Sequence, residues 1–120
     1  MQKKTVLVAE NEMIISLDIK SILEKHNINT EIVPRSSSLH EKTRLLKPDL
    51  IIADYNFKNE EKVKGVLSDI SNDFQIPIII ITTYDNLRME ESLGSLIYAG
   101  LLSIPFDHEE LIQLIHKHIN

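Results

Sequence analysis

With no cysteine among its 120 residues, the chain can hold neither a disulfide framework nor a thiolate metal site. No apolar stretch approaches the roughly 18 residues of a membrane span. The start, Met1-Gln2-Lys3-Lys4, leads into a short strand instead of a signal-peptide apolar core, so a cytoplasmic protein with no membrane partner is expected. Lysine and arginine nowhere cluster and the formal net charge is -5. Direct contact with nucleic acid, which needs cations to neutralise phosphates, is therefore not expected. Repeats, low-complexity stretches and linkers are lacking too. What remains has the length and composition of one globular domain over residues 1–120, with 42% hydrophobic and 26% charged residues.

Apolar runs recur near 5–9, 30–33, 50–53, 77–81 and 100–104, separated by stretches of helical period. This alternation predicts an α/β protein with a parallel sheet. The third and fourth runs are apolar nearly throughout, as strands covered on both faces should be. The first helix is expected from about Glu12 to Lys25, with Ile15, Ile19, Ile22 and Leu23 inward. The Ser36-Ser37-Ser38 run reads as a helix start, and the second helix as Leu39 to Leu46, stopped by Pro48. Val63, Val66, Leu67 and Ile70 mark one face of the third helix, and Met89, Leu93, Leu96 and Ile97 a similar stripe on the fourth. In the last helix Asp107 is placed to cap, with Glu110 at the reciprocal position and Leu111, Ile112, Ile115 and Ile119 toward the sheet.

The run Leu50-Ile51-Ile52-Ala53 delivers Asp54 to the carboxyl end of a buried strand. An aspartate there commonly caps the next turn. A second acidic cluster, Glu10-Asn11-Glu12, follows the first strand, however, and two strands that both end in oxygen ligands suggest a site. A doubly wound sheet of order 2-1-3-4-5, with right-handed crossovers, sets the first and third strands side by side at the switch point, so Glu10, Asn11 and Asp54 converge. Clustered carboxylates require either a proton or a cation among them, and hard oxygen ligands with room for a phosphate suit Mg²⁺. A flavin phosphate fits poorly, because the acids oppose it and the first turn lacks Ser, Thr and Gly donors. Thr82 and Thr83 bring hydroxyls to the same edge, where bonding to backbone is their alternative use.

These segments resemble the receiver domain of two-component response regulators over essentially the whole chain. Val8-Ala9-Glu10-Asn11-Glu12 is similar to the acidic end of that family's first strand, and Pro48 through Asp54 to the segment ending in the phosphoaccepting aspartate. Pro77 through Thr83 is similar to the strand ending in the switch hydroxyl, at Thr82, and Pro105-Phe106 to the dipeptide after the fifth strand. The resemblance implies a flavodoxin-like receiver fold and two-component signal transduction. Asp54 would be the nucleophile toward a phosphoryl group from a sensor histidine kinase, a phosphotransfer protein or a small phosphodonor. Mg²⁺ would be held by Glu10, Asn11, Asp54 and the backbone carbonyl of Asn56. Thr82 would bond the phosphoryl group and shift the face made by the fourth helix and fifth strand, through which the chain meets an output domain, a protein partner or a second copy in a homodimer. Any catalysis would be confined to phosphoryl transfer onto Asp54 and its reversal by hydrolysis.

The sequence also departs from that family. Its lysine before Pro-Phe is Ile104, its aromatic switch residue is Leu101, and Asn11 stands for a ligating aspartate, which removes a charge and weakens Mg²⁺ binding. Tyr84 and Tyr98 are the candidates to replace the aromatic. Lys58, Lys62 and Lys64 fall in a segment, 55–65, that reads as a long solvated loop. His116 and His118, two apart on a helix, make no metal pair, and His26, His40 and His108 read as surface residues. The alternative to a phosphorylated receiver is a pseudo-receiver, an interaction module in which Asp54 is a structural acid. A small flavodoxin-like cofactor carrier ranks last.

Overall fold

Strands whose residues are apolar on both faces have to be covered on both faces, and in a computed structural model that describes residues 3–55, 60–83 and 86–119, backbone only at 60, 61, 86 and 87, they are. Five parallel strands, β1 (Thr5–Ala9), β2 (Asn29–Val33), β3 (Leu50–Asp54), β4 (Ile78–Thr82) and β5 (Gly100–Ser103), lie in the order β2-β1-β3-β4-β5. Helices α1 (Met13–Lys25), α2 (Leu39–Leu46), α3 (Glu60–Asp73), α4 (Asn86–Leu93) and α5 (His108–Ile119) complete the alternation. No helix among the described residues is long and apolar enough to cross a membrane.

Alternation along the strands sorts side chains into two cores. Val6, Val8, Leu50, Ile52, Ile79 and Ile81 meet α1 and α5 through Ile19, Leu23, Leu111 and Ile115. Leu7, Ala9, Ile51, Ala53, Ile78 and Ile80 meet the other helices through Leu39, Val63, Leu67, Ile70, Met89 and Leu93. Each fully buried Leu, Ile or Val contributes about 1.5–3 kcal/mol. The register is pinned at the amino ends of β1 and β3, where Thr5 N–H donates to Asp49 Oδ2 at 2.8 Å and Asp49 N–H donates to Thr5 O at 2.8 Å.

Helix ends follow local chemistry. Lys47, in the left-handed region at φ 46°, closes α2 with its N–H on Thr43 O, and Pro48 follows. Asp107 caps α5, its Oδ1 accepting from Glu109 N–H at 3.0 Å. Asn27, at φ 61°, ends α1, and Ile28 N–H returns to Leu23 O. Ser36–Ser38 forms a short 3₁₀ turn leading directly into α2.

Several expected boundaries shift. The stripe of the fourth helix stops at Leu93, because Gly94 at φ 57° turns the chain left-handed. Leu96 still reaches the core from the turn beyond, whereas Ile97 is 77% exposed. The third helix begins at Glu60, so Lys62 and Lys64 lie on α3 instead of in a loop; acids at 60 and 61 favour a helix amino terminus. The fourth strand runs one residue later than the apolar run, through Thr82, and the fifth stops at Ser103. Ile104 follows, its N–H still donating to Thr82 O, before a cis bond to Pro105. His40, read as a surface residue, is partly exposed there and bonded to Asp73 at 2.7 Å, joining α2 to α3.

Two buried threonines should answer substitution with opposite signs. Thr43 Oγ1 donates to Leu39 O at 2.7 Å, while Thr30 Oγ1 is buried with no partner among the described residues. Thr30→Val is expected to raise the unfolding free energy by about 1 kcal/mol and Thr43→Val to lower it by about 1 kcal/mol, read from urea midpoints at unchanged slope.

Candidate functional site

The pairing register carries three polar side chains to the carboxyl edge of the sheet. Ala9 stands opposite Ala53, so the next residues, Glu10 and Asp54, lie side by side, and by alternation both follow the row that faces α1 and α5. Asp54 pairs with Ile81, and Thr82 ends β4 one residue further on. All three are buried, at 1%, 2% and 0% exposure for Glu10, Asp54 and Thr82. Thr82 continues the row of Ile78 and Ile80 and ends it at the same carboxyl edge as the two acids.

Glu10 is held by its own turn. Its N–H donates to Val33 O at 3.2 Å, and its Oε1 accepts the N–H of Glu12 at 2.9 Å. Its Oε2 is buried with no donor reaching it among the described residues. The neighbouring group is the Asp54 carboxyl, with which a hydrogen bond forms when a proton is present. Burial, then that hydrogen bond, push the Glu10 pKa up to about 8, opposed by the Glu12 N–H. Burial beside Asp54 thus favours the protonated form of Glu10.

Asn11 is exposed at the rim, lining with Glu10, Met13, Ser16, Leu17, Ile32 and Pro34 a concavity of about 330 Å³. Asn56 and Tyr84 lie outside the described residues, as does Lys58. Among the described residues no three His, Asp or Glu side chains gather as a metal cluster. Two carboxylates with an orphaned buried oxygen nevertheless fit one hard divalent cation completed by non-protein oxygens, the way magnesium is commonly held. Ile104 is half-buried against the α1 and α5 core, and Leu101 packs on the other side. Neither Lys62 nor Lys64 replaces a charge here: Lys62 is exposed, and the Lys64 ammonium lies 3.2 Å from where a Cβ of Gly94 would stand. Tyr98 lines a cavity with Phe74, Pro77 and Ala99, at the amino end of β4, far from the acids.

One residue that sequence reasoning passed over stands next to the acid. Tyr55 is 1% exposed, its N–H donates to Ile81 O at 3.0 Å, and its hydroxyl lies 3.2 Å from Ser92 Oγ on α4. The signal was present, since Tyr55 extends the two-residue period of Ile51 and Ala53 toward the core beneath α3 and α4.

The raised Glu10 pKa has a stability consequence of definite sign. The fold favours the neutral carboxyl, so its contribution is complete below the ordinary value of 4.5 and is lost as pH rises through about 8. Glu10→Gln, which keeps an acceptor for Glu12 and a donor for Asp54, is expected to remove this slope. Thermal melts of the metal-free proteins between about pH 5 and about pH 8.5 should show the variant gaining steadily on the wild type.

Comparison with known proteins places this geometry. The response regulator receiver domain family matches residues 6–116. The phyllosphere-induced regulator PhyR of Methylorubrum extorquens is 26% identical over 81 residues, which are 66% of this chain and 30% of that protein, so the chain spans under a third of its relative. A response regulator from Thermotoga maritima superposes with a TM-score of 0.86 at 22% identity, covering 98% of both chains. The BeF3-activated receiver domain of Klebsiella pneumoniae RstA superposes at 0.88 with 19% identity, over 98% of this chain and 99% of that one. By the family match over nearly its full length, and with five strands in the order that family requires, the chain belongs to the response regulator receiver domains.

Proposed function

We propose that the chain is a phosphoacceptor in two-component signalling, working in the cytoplasm and modified on Asp54. The observation that carries this reading is the buried Glu10 oxygen without a donor, set beside Asp54 at the sheet's carboxyl edge. A folded protein sustains two adjacent buried acids only with a proton or a cation among them, and an acid cluster poised for a cation suits phosphoryl chemistry.

Glu10 and Asp54 would hold Mg²⁺, with Asn11 at the rim and the carbonyl of Asn56 as further oxygens. When bound, the ion offsets negative charge on the phosphoryl oxygens. Asp54 acts as nucleophile: one carboxylate oxygen forms a bond to phosphorus, and the donor's bond to phosphorus breaks with its electron pair leaving on the donor. Hydrolysis of the acyl phosphate restores the carboxylate. The Thr82 hydroxyl, one residue past the Ile81 that pairs with Asp54, donates to a phosphoryl oxygen. In that role Glu10 would hold the ion as a carboxylate, without its proton.

The donor is read as a sensor histidine kinase or a phosphotransfer protein. Met13, Ile14 and Leu17, exposed at 73%, 85% and 53%, form an apolar patch on the first turns of α1, continuous with the concavity at Glu10 and Asn11. Such a patch beside a site suits a protein donor. Output passes to a further domain or a protein partner, with self-association through α4 and β5 as one form of it.

A second reading, an interaction module never phosphorylated, is favoured by Ile104, whose side chain joins the core at the end of the fifth strand. One experiment separates the two. With Mg²⁺ and acetyl phosphate, intact mass should show one phosphoryl adduct on the wild type and none on Asp54→Ala; absence of the adduct on the wild type under forcing conditions favours the interaction module. If adduct forms, Ile14→Asp should leave labelling by acetyl phosphate unchanged while slowing transfer from a protein donor at least roughly tenfold, the loss expected when about 1.4 kcal/mol of apolar contact is removed.

A further inference from the structure

The short helix α4 owes its place to other elements. At eight residues it is below the roughly 12–15 at which a helix persists in water by itself. Two apolar anchors, Met89 and Leu93, sit fully buried on the core shared with α3 and the sheet. The Lys64 ammonium from α3 lies beside its carboxyl end at Gly94, and a second side chain, Tyr55, attaches that end through its hydroxyl, bonded to Ser92 Oγ. The second starts from the residue immediately after Asp54.

We propose that Tyr55 is the positioning residue that ties the state of Asp54 to the placement of α4. Tyr55 and Asp54 share a peptide unit, and the Tyr55 N–H holds Ile81 O, so a change in the Asp54 carboxyl that moves the end of β3 moves the base of the Tyr55 ring. The ring is buried in the same core as Met89 and Leu93, where close packing converts displacement into a choice between discrete arrangements. Its hydroxyl then makes that choice directional, because the bond to Ser92 is either kept or lost. Other aromatic residues described on this core do not offer the route. Phe74 and Tyr98 line the cavity at the amino end of β4, and Leu101, on β5, has no polar atom in its side chain.

The signalling use of this link rests on the phosphoacceptor reading, but the link can be tested without phosphorylation. Amide hydrogen exchange of Met89–Leu93 is measured in the full chain for wild type, Tyr55→Phe, Asp54→Asn and the double variant. Tyr55→Phe is expected to speed α4 exchange roughly 2- to 12-fold, the range for loss of one hydrogen bond, while β1 and β3 amides keep their protection. Removing the Asp54 charge should alter α4 exchange when Tyr55 is present and leave it unaltered in the Tyr55→Phe background. This non-additivity is a readout that a merely structural hydroxyl does not move. Ser92→Ala removes the same bond from the helix side and should reproduce the loss of coupling if Tyr55→Phe compromises folding.

Additive effects of Asp54→Asn with both Tyr55→Phe and Ser92→Ala overturn the proposal. Coupling that persists in a wild type that takes no phosphoryl adduct upholds the link and overturns the phosphoacceptor reading instead. Where the adduct forms, α4 exchange should respond to it in the wild type and not in Tyr55→Phe at equal occupancy by mass; an equal response in both also overturns the proposal.

Discussion

Two carboxyl groups, Glu10 and Asp54, are taken out of water next to each other, and the design of this receiver domain follows from what that costs. An isolated buried charge is expensive and a pair of like charges more so. The fold meets the cost locally: one Glu10 oxygen accepts a backbone N–H from its own turn, and the other is left for a proton or a cation. The acids cannot relax away from each other because each sits one residue beyond a strand position fixed by parallel pairing, Ala9 against Ala53. The apolar strands behind them are therefore more than a core. They are the rigid support that keeps an unfavourable electrostatic arrangement in place.

The same strands divide labour between their faces. Residues of one parity bind α1 and α5, and the acids lie at the end of that row; residues of the other parity bind α2, α3 and α4, and Tyr55 and Thr82 end that row. The buried acid Asp54 and the buried aromatic Tyr55, which end the two rows, are thus separated by a single peptide unit. Under the coupling proposed above, a change at the first would reach the second without passing through the sheet's interior, where close packing resists small adjustments.

Much of this was legible in the chain because period and polarity agree. Runs such as Leu50–Asp54 and Ile78–Thr82 admit little but buried strands, and the doubly wound order then forces Glu10 toward Asp54. Other features were decided by interactions that a linear pattern does not carry. The apolar spacing of Met89, Leu93, Leu96 and Ile97 is helical, yet Gly94 ends the helix, because the backbone conformation open to glycine outweighs the period. Acids and lysines after Asp54 resemble solvated loop, although from Glu60 they begin a helix. Tyr55 falls in the segment that reads as loop, and only the fold buries its ring and brings Ser92, 37 positions away, to its hydroxyl. The unusual Glu10 pKa comes from burial beside Asp54, a property of three-dimensional placement.

Ile104 has a consequence for electrostatics as well as for contacts. By folding into the α1 and α5 core, it leaves the field of the two acids without a counter-charge from the end of β5. An anion approaching this edge while both acids are ionised meets a repulsive potential extending about a Debye length, roughly 8 Å at physiological salt and about 30 Å in dilute buffer. Salt shortens the range of this repulsion, the reverse in sign of its effect at an attractive, oppositely charged site.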